Sequence, residues 1–98
     1  MMKVIFSKKG DMKFVSHLDL VRLFQRAARR AGIAVTVTKG FSPRLKISIT
    51  KALKLGLESV SEEAVFYMDR QILPGEFMRL MNDKLPEGVE IVGAQETG

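Results

Sequence analysis

Cysteine is absent from the 98 residues of this sequence, which excludes disulfide bonds, thiolate nucleophiles and thiolate metal sites. No apolar run approaches the roughly 20 residues of a membrane span, so a membrane is not an expected partner. The first seven residues are too few, and Lys3 places a charge too early, for a secretory signal peptide. These absences predict a soluble, cytoplasmic protein.

Acidic residues are scarce in the first half of the chain. Residues 1–54 contain 13 Lys and Arg but only Asp11 and Asp19 as acids, a formal charge of +11. Residues 55–98 contain three Lys and Arg and nine acids, a formal charge of −6. Such asymmetry indicates a polyanionic partner, unless folding brings the halves together and neutralises them.

The length and composition predict one globular domain over residues 1–98, with 46% hydrophobic and 28% charged residues. A helix is predicted to begin at Ser16, whose side chain can cap it. Asp19 lies in the first turn of this helix, and Gly32 follows its last turn. A second helix is predicted to begin at Pro74 and to end before Pro86. Short strands are predicted over residues 3–7, 33–38, 45–50, 63–69 and 89–92, with a brief extended piece at 12–15 and an irregular connection at 51–61.

This order of elements predicts an α+β fold, a ferredoxin-like sandwich of the βαββαβ type with two helices on one face of an antiparallel sheet. The segments 33–38 and 45–50 are expected to pair as a hairpin, which adds an extra strand. The second face of the sheet stays uncovered in such a fold, and several RNA-binding domains bind RNA through that face.

Two basic segments are candidates for binding phosphates. The first helix carries four arginines on the side opposite its apolar residues, with only Asp19 near them in sequence. They are Arg22, Arg26, Arg29 and Arg30. A solvated helix face is the alternative interpretation of this stripe.

The second basic segment is a predicted loop that interleaves cations with an aromatic ring, as single-stranded nucleic acid binding requires. Its candidate residues are Lys39, Gly40, Phe41, Arg44 and Lys46. Phe41 either stacks on a ligand or folds back onto the core, and the sequence leaves both open. Since the first helix packs on the covered face of the sheet, Arg26 and Arg44 can share one ligand only around an edge or end of the sheet.

His17 and Asp19 are the remaining candidate functional residues. His17 is the only histidine, and no second histidine or cysteine completes a metal site. The sequence also lacks the nucleophile-elbow, P-loop and dinucleotide-binding motifs, so no cofactor is expected. The simplest interpretation is a histidine that forms a local hydrogen bond at the start of the helix.

Several of these segments resemble a bacterial family of radical SAM-linked proteins, which are fused to or encoded beside B12-binding radical SAM enzymes. The resemblance is carried by residues 14–22, 26–32, 40–43, 46–48, 55–59 and 67–69. The family's loop commonly reads Gly-Phe-Asn-Pro-His-Pro, whereas Ser42, Arg44 and Leu45 stand here for the Asn, the His and the second Pro. Because the iron–sulfur cluster of a radical SAM enzyme requires cysteines, the resemblance implies an accessory to that enzyme rather than the catalyst.

Three functions are consistent with the sequence. The leading hypothesis is a non-catalytic module that binds structured RNA through its basic face and serves a radical SAM enzyme, since many such enzymes modify RNA. The alternative is a protein-interaction module that docks on the radical SAM enzyme through the first helix. The third is a small enzyme that uses His17 and Asp19.

Overall fold

A computed structural model of the chain describes residues 1–51 and 55–98. Within these ranges the chain forms four β-strands, one short 3-10 helix and two α-helices. The elements are β1 (Met2–Lys8), the 3-10 helix (Gly10–Phe14), α1 (His17–Ala31), β2 (Ile47–Ile49), β3 (Ser59–Phe66), α2 (Pro74–Lys84) and β4 (Val89–Glu96).

The strands form one sheet in the order β2-β3-β1-β4, and every neighbouring pair is antiparallel. Along β2 and the end of β3, residues alternate in burial, as strand geometry requires. In β3, Ala64 and Phe66 are buried, whereas Val65 between them is only half-buried. The element order and the strand order confirm the predicted ferredoxin-like α+β sandwich.

A row of four phenylalanine rings fixes the helices to one face of the sheet. Phe24 of α1 contacts Phe6 and Phe66 edge to face, with ring centroids 5.0 and 5.7 Å apart. Phe77 of α2 contacts Phe66 in the same manner at 5.0 Å. All four side chains are fully buried. Both helices therefore cover the face that carries Phe66, and the residues that alternate with it face away from them.

The local signals at the ends of the helices are confirmed. Ser16 Oγ accepts a hydrogen bond from the Asp19 N–H at 3.1 Å, which caps the start of α1. Gly32 follows the last residue of α1 with φ of 70°, a left-handed conformation that favours glycine. Pro74 occupies the first turn of α2, where its missing N–H leaves no helical hydrogen bond unmade.

The predicted strand over residues 33–38 is wrong. This segment forms two isolated bridges, Val35 with Met68 and Val37 with Leu45, in place of a continuous ladder. The reason is that its hydrogen bonds are divided, since the Thr36 N–H binds the Tyr67 carbonyl while the Thr36 carbonyl binds the Lys46 N–H. The predicted partner segment 45–50 forms β2 and pairs with β3. The extra hairpin is thus a short paired loop beside the sheet edge.

Three further boundaries differ from the sequence prediction. The expected extended piece at 12–15 lies mostly in the 3-10 helix, which begins at Gly10 with φ of 61°. The third strand begins at Ser59, and the last continues to Glu96 because it pairs with β1 along its length. The predicted irregular connection at 51–61 lies partly outside the described residues. No helix in the described part of the chain is long and apolar enough to cross a membrane.

We predict that Gly32→Val lowers the free energy of unfolding by about 1 kcal/mol or more, because a β-branched residue is strained at positive φ. Gly32→Asn should cost less, since Asn tolerates the left-handed region. Urea denaturation measures both. Gly75→Ala in α2 is the matched control, because Gly75 does not have a positive φ and an added Cβ meets no atom within 4 Å. Equal effects of Val at position 32 and Ala at position 75 contradict the prediction.

Candidate nucleic-acid interface

The four arginines of α1 are exposed, as the periodicity predicted. Arg22 Nη1 lies 3.5 Å from Asp19 Oδ1, and both side chains are more than half exposed, so this pair is weak. Among the described residues, no carboxylate forms an ion pair with Arg26, Arg29 or Arg30. Their charge is therefore available to a ligand.

A side-chain hydrogen bond ties α1 to the segment that precedes β2. Gln25 Nε2 donates to the Leu45 carbonyl at 3.0 Å. Arg22 lies three residues before Gln25, and Arg29 lies four residues after it. Both therefore share the side of the helix that carries Gln25. Arg26 is turned away from Gln25 by about 100°.

Leu45 is buried, while Arg44 and Lys46 on either side of it are exposed. Because successive side chains in extended backbone point to opposite sides, these two cations point away from the core, on the side opposite Leu45. Together with Lys39 in the adjoining loop they continue the basic side of α1 around the β2 edge. We call this set the β2-edge basic surface: Arg22, Arg29, Lys39, Arg44 and Lys46.

The loop beyond this edge exposes its aromatic ring. Phe41 is fully exposed, which favours an available ring over one folded onto the core. Gly40 has φ of 136°, and the Thr38 N–H binds the Arg44 carbonyl at 2.8 Å where the loop closes. The hydroxyl of Thr38 also accepts a hydrogen bond from the Arg44 N–H at 3.1 Å. These bonds hold the base of the loop and leave Phe41 at its tip.

The other two arginines line a groove between α1 and the end of α2. Arg26 and Arg30 stand beside Lys84, and the groove has an apolar lining with a volume of about 490 Å³. The lining comprises Met12, Leu23, Ala27 and Pro86. A second cavity of about 540 Å³ continues it past Leu23 and Arg26 towards Phe14. We call this feature the α1–α2 groove.

In the part of the chain that the structure describes, no acid of the second half forms an ion pair with the β2-edge basic surface, although Lys84 of the groove pairs with Asp83 at 3.3 Å. Ion pairs between the halves join Lys3 to Glu63 at 3.5 Å and the N-terminal amine to Glu96 at 3.3 Å. Glu58 accepts a hydrogen bond from the backbone N–H of Gly10 at 2.7 Å. None of these partners belongs to the β2-edge basic surface, so its cations face solvent.

Among the described residues, no hydrogen bond joins the side chains of His17 and Asp19. The His17 Nδ1 atom is buried and has no hydrogen-bond partner within residues 1–51 and 55–98, so the local bond predicted for this histidine is not formed at that atom. Asp19 is engaged with Arg22. In the ranges that the structure describes, no cluster of three metal-ligating side chains occurs.

Two residues of the interface region were missed by sequence reasoning. Tyr67 lies beside Lys46, whose Nζ is 4.3 Å from the centre of the tyrosine ring. Lys84 joins the arginines of α1 although it belongs to the acidic half. The alternation of Tyr67 with Phe66 was the available signal for the first, but nothing in the local sequence marked the second.

A family model described as "Uncharacterized protein conserved in bacteria (DUF2344)" matches residues 2–98. The chain therefore belongs to this bacterial family. No curated protein and no solved structure matches the chain significantly.

We predict that His17→Leu changes the free energy of unfolding by less than about 1 kcal/mol, because no hydrogen bond of Nδ1 is lost. His17→Gln should behave similarly, and both variants should keep any ligand binding of the wild type. Urea denaturation combined with a binding assay measures the two properties. Unchanged stability with complete loss of binding contradicts this prediction and moves His17 into the functional site.

Proposed function

We propose that this member of the family is a non-catalytic accessory module that binds structured RNA through the β2-edge basic surface and the arginines of α1. The observation that carries the proposal is the hydrogen bond from Gln25 Nε2 to the Leu45 carbonyl. This bond brings a basic helix face and a basic loop to one edge of the sheet. A phosphate backbone that passes the edge can contact both.

The charge of the surface favours a polyphosphate. Among the described residues, Arg22 is the one cation of the β2-edge basic surface that forms an ion pair, and its partner Asp19 is largely exposed. Guanidinium groups form paired hydrogen bonds to phosphate oxygens, and each neutralised phosphate releases counterions. RNA also exposes unpaired bases in loops and bulges, for which Phe41 offers a stacking ring.

The same proposal includes a partner enzyme, to which the module presents the RNA. The resemblance to radical SAM-linked proteins supports an accessory role beside such an enzyme, many of which modify RNA. A small basic module on the partner enzyme would raise the local concentration of the RNA substrate. The chain lacks the cysteines that the enzyme's cluster requires, so its own part is binding.

We predict that Arg29→Ala and Arg44→Ala each weaken RNA binding. Each should lower the slope of log K against log salt by about one unit, because each removes about one neutralised phosphate. Arg26→Ala should have a smaller effect, since Arg26 is turned away from the β2 edge. Fluorescence anisotropy of a labelled RNA hairpin at two salt concentrations measures all three variants.

Arg79→Ala is the control for these variants. Arg79 is an exposed arginine of α2 that pairs with Glu76 at 3.9 Å, outside the proposed surface. Its replacement should leave the affinity and the salt slope unchanged. If Arg29→Ala and Arg79→Ala have equal effects, binding is not localised at the β2 edge. If the wild type shows no salt-dependent binding, the proposed function is wrong.

The α1–α2 groove supports a second candidate function, which is docking on the radical SAM enzyme. Its apolar lining and its cations Arg26, Arg30 and Lys84 complement an amphipathic segment with acidic side chains. Isothermal titration of the co-encoded enzyme with wild type and Leu23→Asp tests this candidate. Arg44→Ala is the control that should retain docking, and full affinity of Leu23→Asp rules the groove out.

A further inference from the structure

Tyr67 lies on the face of the sheet that the helices leave uncovered. Its neighbour Phe66 is fully buried between the helices and the sheet. The Tyr67 N–H binds the Lys46 carbonyl at 3.1 Å, and its carbonyl accepts from the Thr36 N–H at 2.7 Å. The extended pairing thus continues through Tyr67, and alternation turns its ring to the uncovered face.

The tyrosine ring is covered by the cation of an exposed side chain. Lys46 Nζ sits 4.3 Å from the ring centre, and Lys46 itself is exposed. A cation–π contact at an exposed site is weaker than the stacking of a nucleobase on an aromatic ring. A base can therefore take the place of the ammonium group over the ring, which frees Lys46 to pair with a neighbouring phosphate.

Polar side chains of residues next to Tyr67 along this sheet edge can hydrogen-bond a base edge. Thr36 Oγ1 donates to Asp69 Oδ1 at 2.7 Å, where the bridge of Val35 with Met68 closes the sheet edge. The second oxygen of the Asp69 carboxylate can accept a hydrogen bond from a base amino group.

A basic track leads from Tyr67 to the exposed ring of Phe41. The paired segments 36–38 and 44–46 run from Tyr67 towards the loop that carries Phe41. Lys46, Arg44 and Lys39 lie along this path and are exposed. Two aromatic rings separated by cations form the pattern that binds single-stranded nucleic acid.

We propose that single-stranded RNA crosses the β2 edge with one base stacked on Tyr67 and another on Phe41. This inference rests on the proposed function and specifies its ligand as an unpaired segment. In the protein without RNA, the ammonium group of Lys46 lies over the tyrosine ring, and a stacking base displaces it. Stacking and phosphate contacts then lie on one continuous track.

Tyrosine fluorescence tests the proposal directly, because the chain has one tyrosine and no tryptophan. An unlabelled eight-nucleotide oligouridylate is titrated into the protein, and emission is corrected for absorption by the RNA. Saturable quenching is expected, with the same midpoint as the anisotropy of a labelled copy. An RNA duplex of equal length should bind with salt dependence and leave the emission unchanged.

Substitutions of Tyr67 distinguish a loss of base stacking from a loss of folding. Tyr67→Phe should keep the affinity for oligouridylate, while Tyr67→Ala and Tyr67→Leu should each weaken it by about tenfold. Tyr67→Leu keeps apolar bulk at the half-buried position, so that a loss shared by both variants reflects the ring. Circular dichroism and urea denaturation confirm that each variant is folded.

Phe14→Ala is the matched control, because Phe14 is also an exposed ring with a lysine over it, Lys13 at 5.2 Å. It lies in the 3-10 helix, outside the track from Tyr67 to Phe41, and its loss should leave the quenching of Tyr67 by bound oligouridylate unchanged. Binding of oligouridylate without quenching, or full affinity of Tyr67→Leu, overturns the stacking proposal and leaves RNA binding standing. Absence of binding to every RNA overturns the proposed function together with the stacking proposal.

Discussion

The contact of Phe66 with Phe24 and Phe77 determines the rest of the structure. These three rings join the middle of the sheet to both helices, with centroids 5.7 and 5.0 Å from that of Phe66. A shift of β3 by one residue would exchange the burial of Phe66 with that of Tyr67, and the core would lose its central ring. The same constraint that seals one face of the sheet therefore presents Tyr67 on the other.

The sequence predicted those elements whose signals are local. Ser16 and Gly32 mark the ends of α1 through a side-chain cap and a left-handed turn, and both act within a few residues of the chain. The alternation of residues 33–38 was equally clear, yet this segment forms isolated bridges. Its hydrogen-bond partners lie on two different segments, and no local pattern records which partner each residue takes.

In the candidate site, too, local signals predict some features, while contacts between distant segments determine others. The exposure of the four arginines follows from helical period alone. The approach of the Arg29 side of α1 to the segment around Leu45 depends on the hydrogen bond between Gln25 and Leu45, which are 20 residues apart in sequence. Phe41 was open to two interpretations because only the packed core decides whether a loop ring is buried. The role proposed for Tyr67 rests on its contact with Lys46 and on the uncovered sheet face, which both result from the fold.

The two proposed ligand surfaces adjoin along α1, where Arg22 and Arg26 line the same cavity. The β2-edge basic surface presents guanidinium and ammonium groups beside an open sheet face, which suits RNA. The α1–α2 groove combines cations with apolar side chains, which suits an acidic protein segment. The proposed accessory role would use both surfaces, the first for RNA and the second for the enzyme.

Chemical-shift mapping of the isotope-labelled chain during titration with an RNA hairpin carrying a single-stranded loop tests the central claim most directly. The account predicts that the largest amide shifts fall within residues 39–46, at Tyr67 and along the Gln25 side of α1. The amides of β4, at the opposite edge of the sheet, should remain unchanged. Shifts confined to the α1–α2 groove, or spread evenly over all exposed basic residues, would contradict the account.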